Sequence, residues 1–194
     1  MHHPPLFEKL SSKHPDLQAV VSVLDEPHCA QVKSLWEELD REFGVRGVYI
    51  TPIPHFSYQV AEEYEWEALQ EKLEWFAGAH APFTIYTSGL GLFTGPEPTL
   101  YVPVVRSLDL TRFHQDLWDT ISEAATTIIA HYDPQSWFPH ITLTQDDADV
   151  ETLGAIFRHF SRRKFNWEIQ IDNVALICDT CGKRGIKYHF TLKG

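Results

Sequence analysis

Apolar and polar positions follow two different rhythms along this chain. "AVVSVL" at 19–24 is apolar apart from one serine, which suits a buried strand. From about Cys29 to Phe43 the spacing lengthens to that of an amphipathic helix with Val32, Leu35, Trp36 and Leu39 on one face, and Gly44 and Gly47 punctuate its end. "GVYITPIPHFSYQV" is extended, and its two prolines suit a bulge or an edge better than a central ladder. "EWEALQEKLEWFAG" predicts a helix closed by Gly78. "FTIYTSGLGLF" and "TLYVPVVRS" predict two strands joined by the turn "TGPEP", and "LDLTRFHQDLWDTISEAA" predicts a helix capped by Asp109. "FPHITLTQ" then predicts a strand, "DVETLGAIFRHFSR" a helix, and "FNWEIQIDNVALI" with "GIKYHFTLKG" a closing hairpin.

The later elements echo the earlier ones. His55 opens a strand that is followed by a helix and a strand led by Phe83; His140 opens the same order, which reaches Phe165 at nearly equal spacing. Two related lobes produce such a repeat. Successive strand side chains point to opposite faces, so His55, Ser57 and Gln59 are expected on one face, as are His140, Thr142 and Thr144. Phe56, Tyr58, Ile141 and Leu143 then face the other way, where helices can cover them.

Length and charge narrow the classes. A chain of 194 residues can bury one sizeable core or two small lobes sharing a cleft. The formal net charge of −11 lacks the electrostatic footprint of a protein that grips long nucleic acid, although a local basic pocket is compatible with it. No stretch approaches the ~20 apolar residues of a membrane span, and the opening "MHHPPLFEKLSSKHPD" has no apolar core of a signal peptide. Cys29, Cys178 and Cys181 make an odd number, unlike a secreted disulfide framework. These features predict a soluble, cytoplasmic protein that does not engage a membrane.

A histidine followed two places later by Ser or Thr is common, so the pairing carries the signal. His159 with Ser161 lies in a helical stretch, and His189 with Thr191 fits the local pattern but is followed by only five residues, too few for the helix and strand of a lobe equivalent. Together "HFSY" and "HITL" resemble the signature of the two-histidine (2H) phosphoesterases, a superfamily that includes 2′-5′ RNA ligases and cyclic nucleotide phosphodiesterases. The resemblance implies an α+β, bilobal duplicated fold, with two antiparallel sheets backed by helices around a central cleft. Residues 1–194 would form a single bilobal domain, with one histidine motif from each lobe facing the cleft.

Opening a cyclic phosphodiester needs a base to take a proton from water and an acid to give one to the leaving oxygen. His55 and His140 are the expected pair, because an imidazole pKa near ~6.5 lets one be neutral while the other is protonated. Ser57 and Thr142 are expected to donate hydrogen bonds to the non-bridging phosphate oxygens, with Gln59 and Thr144 as further substrate contacts on the same faces. No metal and no cofactor is expected. The predicted function is metal-independent hydrolysis of 2′,3′-cyclic phosphates or related phosphodiesters of nucleotides or short RNA ends. A non-catalytic nucleotide- or RNA-binding module and a 2′-5′ RNA ligase are the alternatives.

Two stretches qualify that reading. Many RNA-ligase-like members of the family carry an arginine shortly after the second motif, where this chain has "TQDD" with Gln145; its absence argues against ligation. Phe93 and Trp137 are candidates to stack a base. "CDTCG" at 178–182 resembles half of a zinc site or a redox pair; His28 with Cys29 is the other Cys/His cluster, and a reduced pair at a hairpin tip is the favoured reading.

Overall fold

The structure, a computed structural model, describes residues 17–96, 98–179 and 184–194. In chain order its elements are β1 (Gln18–Val23), α1 (Glu26–Phe43), β2 (His55–Tyr64), α2 (Trp66–Ala79), β3 (Phe83–Tyr86), β4 (Gly91–Phe93) and β5 (Thr99–Pro103). Then follow α3 (Leu108–Ile121), β6 (Ala125–Ile128), β7 (His140–Thr142), α4 (Val150–Phe160), β8 (Glu168–Ile171), β9 (Asn173–Asp179) and β10 (Arg184–Thr191). Side-chain caps set the helix starts. Asp25 accepts a hydrogen bond from the His28 N–H and begins α1 ahead of its apolar face. Ser107, rather than Asp109, caps α3 by accepting from the Leu110 N–H; Asp109 sits in the first turn, where its charge still suits the helix dipole.

The fold is α+β. One antiparallel sheet has the order β10-β9-β1-β2-β6; a three-stranded β4-β5-β7 ladder and the β3-β8 pair form a second layer, joined by a bridge between Thr87 and Val104. Helices α2 and α3 pack on the first sheet, while α1 and α4 pack on each other and α1 reaches β7 through Trp36. The two histidine strands therefore belong to different layers.

Three local features depart from the sequence pattern. The predicted helix 108–125 stops at Ile121, and after a turn of 3-10 helix (Ser122–Ala124) the chain forms β6, which pairs with β2. The β-branched run Thr126–Ile129 tolerates that switch. The repeated helix-then-strand order also does not map one copy to one sheet: β3, which follows α2, crosses to the second layer and pairs antiparallel with β8.

The third departure is a bulge. Along β1 and β2 the register runs Val23 to His55 and Val21 to Ser57, but Val20 meets Gln59, leaving Tyr58 as the extra residue. A one-residue slip exchanges faces. Past Tyr58 the core side receives Gln59 and the open side receives Val60, so Gln59 does not share the face of His55 and Ser57. Phe56 and Tyr58 remain in the core, where the Tyr58 hydroxyl meets Ser22 Oγ at 2.8 Å and Ser22 donates onward to the Asn173 carbonyl at 2.6 Å.

Candidate functional site

Both histidines are built by the same local device, a proline immediately before the ring. Pro54 and Pro139 lack an N–H and hold the preceding residue extended, while their own carbonyls accept ladder bonds from Leu24 and Val104. The carbonyl two residues before each histidine is thereby left for its ring: His55 Nδ1 lies 2.6 Å from the Ile53 oxygen, and His140 Nδ1 lies 2.8 Å from the Phe138 oxygen. A carbonyl only accepts, so each Nδ1 carries the proton, and Nε2 of the neutral ring keeps its lone pair.

The two strands come together at one pocket of about 190 Å³, lined by His55, Ser57 and Val60 from the first sheet and by His140 and Thr142 from the second. Tryptophans fix both hydroxyl-bearing residues in matching fashion. Trp137 Nε1 donates to the Ser57 carbonyl at 2.8 Å, and Trp36 Nε1 donates to the Thr142 carbonyl at 3.1 Å.

Each imidazole keeps an edge toward the pocket but is otherwise surrounded by protein. Burial pushes the His55 pKa below its ordinary value, with the Ile53 carbonyl opposing and the Arg184 charge adding to the effect. For His140 burial is again the main cause, the Phe138 carbonyl opposes, and repulsion from His55 adds, bringing its pKa down to about 4. The two rings thus sense each other's charge. Both are neutral in the free protein at pH 7.

Tyr132, which the sequence reading missed, completes the His55 side. It lines the pocket, its hydroxyl shares a hydrogen bond with Ser57, and burial pushes its pKa up to about 12, so the phenol stays protonated. Nothing in "AHYDP" announces this role, because Tyr132 reaches the site only through the pairing of β6 with β2. Arg184, from β10, and Thr51 also line the pocket.

Gln59 and Thr144 are not among the residues around this pocket. Gln59 is buried on the core side, donating to Ser122 Oγ at 3.0 Å and accepting from the Tyr64 hydroxyl at 3.0 Å. Thr144 is fully buried, and its Oγ1 accepts from the Leu100 N–H at 2.9 Å. Strand β7 ends at Thr142, and the Leu143 and Thr144 amides converge on the Leu100 carbonyl, so the expected alternation stops there. The shared-face expectation fails for both residues.

Trp137 is also unsuited to stacking a base: it is buried and its ring stacks on His114 with centroids 3.8 Å apart. Phe93 stays at the pocket, stacked on Tyr101 at 3.9 Å and set edge-on to His140 at 4.9 Å. The two other histidines with the local motif lie elsewhere. His159 bonds Glu38 at 2.6 Å on the surface, and His189 is exposed on β10.

The loop after β7 brings Gln145 and Asp146 to the pocket wall. It is pinned from outside, since Asp147 Oδ2 accepts from the Arg46 and Gly47 amides. A Cβ on Gly47 would lie 1.9 Å from the Gln145 carbonyl oxygen, so only glycine allows this approach.

Comparison with known proteins agrees with the geometry. The model of the 2′-5′ RNA ligase superfamily matches residues 24–180, a span that holds both Pro-His pairs. The chain belongs to the 2′-5′ RNA ligase superfamily. Membership supports phosphoesterase-type chemistry for the two-histidine pocket. Among solved structures, TT0787 of Thermus thermophilus is similar at a TM-score of 0.67 and 18% identity, covering 92% of this chain and 98% of that one. LigT of E. coli in its apo form is similar at a TM-score of 0.58 and 15% identity, covering 94% of this chain and 100% of that one. A structure of E. coli LigT complexed with 3′-AMP is similar at 0.57 and 16% identity, covering 93% and 99%. At these identities the likeness is one of fold. No curated protein matches the sequence.

Within this superfamily member, no group of three or more His, Cys, Asp or Glu among the described residues is arranged to hold a metal ion. Cys29 and Cys178 are buried with free thiols, and Cys181 lies outside the described residues, so the paired-cysteine motif does too. No helix among the described residues is long and apolar enough to cross a membrane.

Proposed function

We propose that the pocket hydrolyses 2′,3′-cyclic phosphates, or a closely related phosphodiester, of nucleotides or short RNA ends. The carrying observation is the pair of Pro-His units, set in different sheets, each with Nδ1 on a backbone carbonyl and a hydroxyl residue two places on, around one pocket. One imidazole takes a proton from water as its oxygen forms a bond to phosphorus. The other gives a proton to the 2′ or 3′ oxygen as its bond to phosphorus breaks, leaving a phosphomonoester and a hydroxyl.

Ser57 and Thr142 are the donors to the charge that builds on the non-bridging oxygens. The Tyr132 phenol shares a hydrogen bond with Ser57 and so holds its hydroxyl at the pocket. Phe93 lines the same pocket, edge-on to His140, and is the aromatic ring beside which a base would sit. The acidic chain favours a nucleotide or an RNA terminus over a long strand. The cysteine usage fits a cytoplasmic setting.

The test is a panel of 2′,3′-cyclic nucleotides, cyclic-phosphate-ended RNAs and 2′-5′ linked oligonucleotides, assayed for turnover and for binding, with and without EDTA. Hydrolysis that survives chelation is expected. Binding without turnover, ligation in place of hydrolysis, or activity lost to EDTA and restored by a divalent ion would each overturn the reading.

A further inference from the structure

If Gln145 and Asp146 occupy the wall after the second histidine strand, the phosphate needs its positive charge from another direction. Arg184 is the lysine or arginine that lines the pocket among the described residues, and it comes from the opposite sheet on the terminal strand β10. Its Nη1 donates to Thr51 Oγ1 at 3.4 Å, a long bond to another residue of the same wall. No carboxylate forms an ion pair with it among the described residues. A guanidinium offers five N–H donors, and among the described residues that long bond engages one of them.

The charge balance of the pocket favours an anion. Asp146 also lines it, but Asp146 is exposed at the rim whereas Arg184 is half-buried, so solvent screens the carboxylate more than the guanidinium. The other titratable side chains around the space are His55, His140 and Tyr132, all neutral at pH 7. Its bond to Thr51, four residues before His55, and its place in the same sheet as the first histidine strand set Arg184 on the His55 side of the pocket, where its charge disfavours protonation of His55.

We propose that Arg184 is a phosphate-binding residue of this site, gripping non-bridging oxygens from the His55 side while Ser57 and Thr142 reach the same group from the two histidine strands. The assignment rests on the phosphodiesterase reading for its substrate, but not for its ligand chemistry, which is a phosphate oxygen in either case. It supplies from β10 the cation that the loop after Thr142 lacks.

Inorganic phosphate is the probe, titrated into the full chain while the His55 and His140 ring resonances are followed by NMR. These resonances are assigned from the spectra of His55→Gln and His140→Gln. Saturable shifts of both rings are expected in the wild type. Arg184→Gln should weaken phosphate binding at least ~10-fold and raise the pKa of His55 more than that of His140. Arg184→Lys should fall between, because an ammonium keeps the charge but not the planar fork. A structural role alone would change the melting temperature without this selective pKa change.

Phosphate affinity within twofold of wild type in folded Arg184→Gln overturns the assignment, as does failure of the wild type to bind phosphate. If Arg184→Gln does not fold, an unchanged affinity in Arg184→Lys overturns it equally. Phosphate binding that depends on Arg184 in a protein that hydrolyses none of the cyclic phosphodiesters would sink the hydrolase reading and leave this assignment standing.

Discussion

Raising the pH from 6.5 to 8.5 should lower kcat/KM on a 2′,3′-cyclic nucleotide by roughly tenfold per unit, because acid-base catalysis needs one proton on the histidine pair. Burial holds both rings below the ordinary 6.5 and is the main cause that brings His140 down to about 4, with repulsion from His55 adding to it. The two rings titrate as an interacting pair, so the singly protonated form of the free protein is populated in the window below pH 6.5. The kcat/KM maximum is expected in that window. The kcat profile, which reports the occupied pocket, should peak at higher pH, since a bound phosphate anion favours the protonated rings.

Stability moves in the opposite direction over the same range. His114 is buried behind the site, with Nε2 donating to the Tyr58 carbonyl at 2.9 Å, and desolvation lowers its pKa from 6.5 to about 4. The unfolded chain therefore binds a proton that the folded one refuses. Roughly 3 kcal/mol of stability, fully present above pH 6.5, is lost as pH falls toward 4. From pH 7 to 5.5 the enzyme should become faster and easier to unfold at once. Initial rates at constant ionic strength, with circular dichroism and urea unfolding at each pH, measure both trends. A kcat/KM that stays flat or rises between pH 6.5 and 8.5 in folded protein would refute the reasoning.

Single His55→Ala and His140→Ala variants should each lose at least ~10²-fold in kcat with folding intact, and the double variant should lose little more; His189→Ala should retain most activity, and the reverse ranking would discard the assigned pair. Gln59→Leu should cost about 1–3 kcal/mol in urea unfolding, because it leaves the buried Tyr64 hydroxyl without its acceptor, and should leave KM within a few-fold; a large KM change in folded protein would return Gln59 to the substrate. Gly47→Ala must displace the Gln145 carbonyl by more than an ångström, and a shift of that size beside reacting groups costs on the order of 10²-fold in kcat/KM. Wild-type kinetics in Gly47→Ala would show that the wall of Gln145 and Asp146 does not position substrate.

The sequence by itself determined the two histidine strands, most helices and the chemistry of the pair. Those features are written in short-range patterns: a proline before each histidine, a hydroxyl two places on, and apolar spacing that survives into the core faces of α1, α2 and α4. Gln59 and Thr144 show where that reading ends. Strict alternation places both beside the histidines, but alternation holds only while the ladder keeps its register, and register is a property of two strands. The bulge at Tyr58 exists because β1 meets β2 with one residue fewer, and β7 stops at Thr142 because two amides converge on Leu100. Tyr132 and Arg184 were hidden for a related reason. Each reaches the pocket across a sheet, through β6 and β10, from positions whose neighbours in sequence say nothing about the site. Local chemistry fixed the catalytic pair, while strand order and register decided which other side chains stand around it.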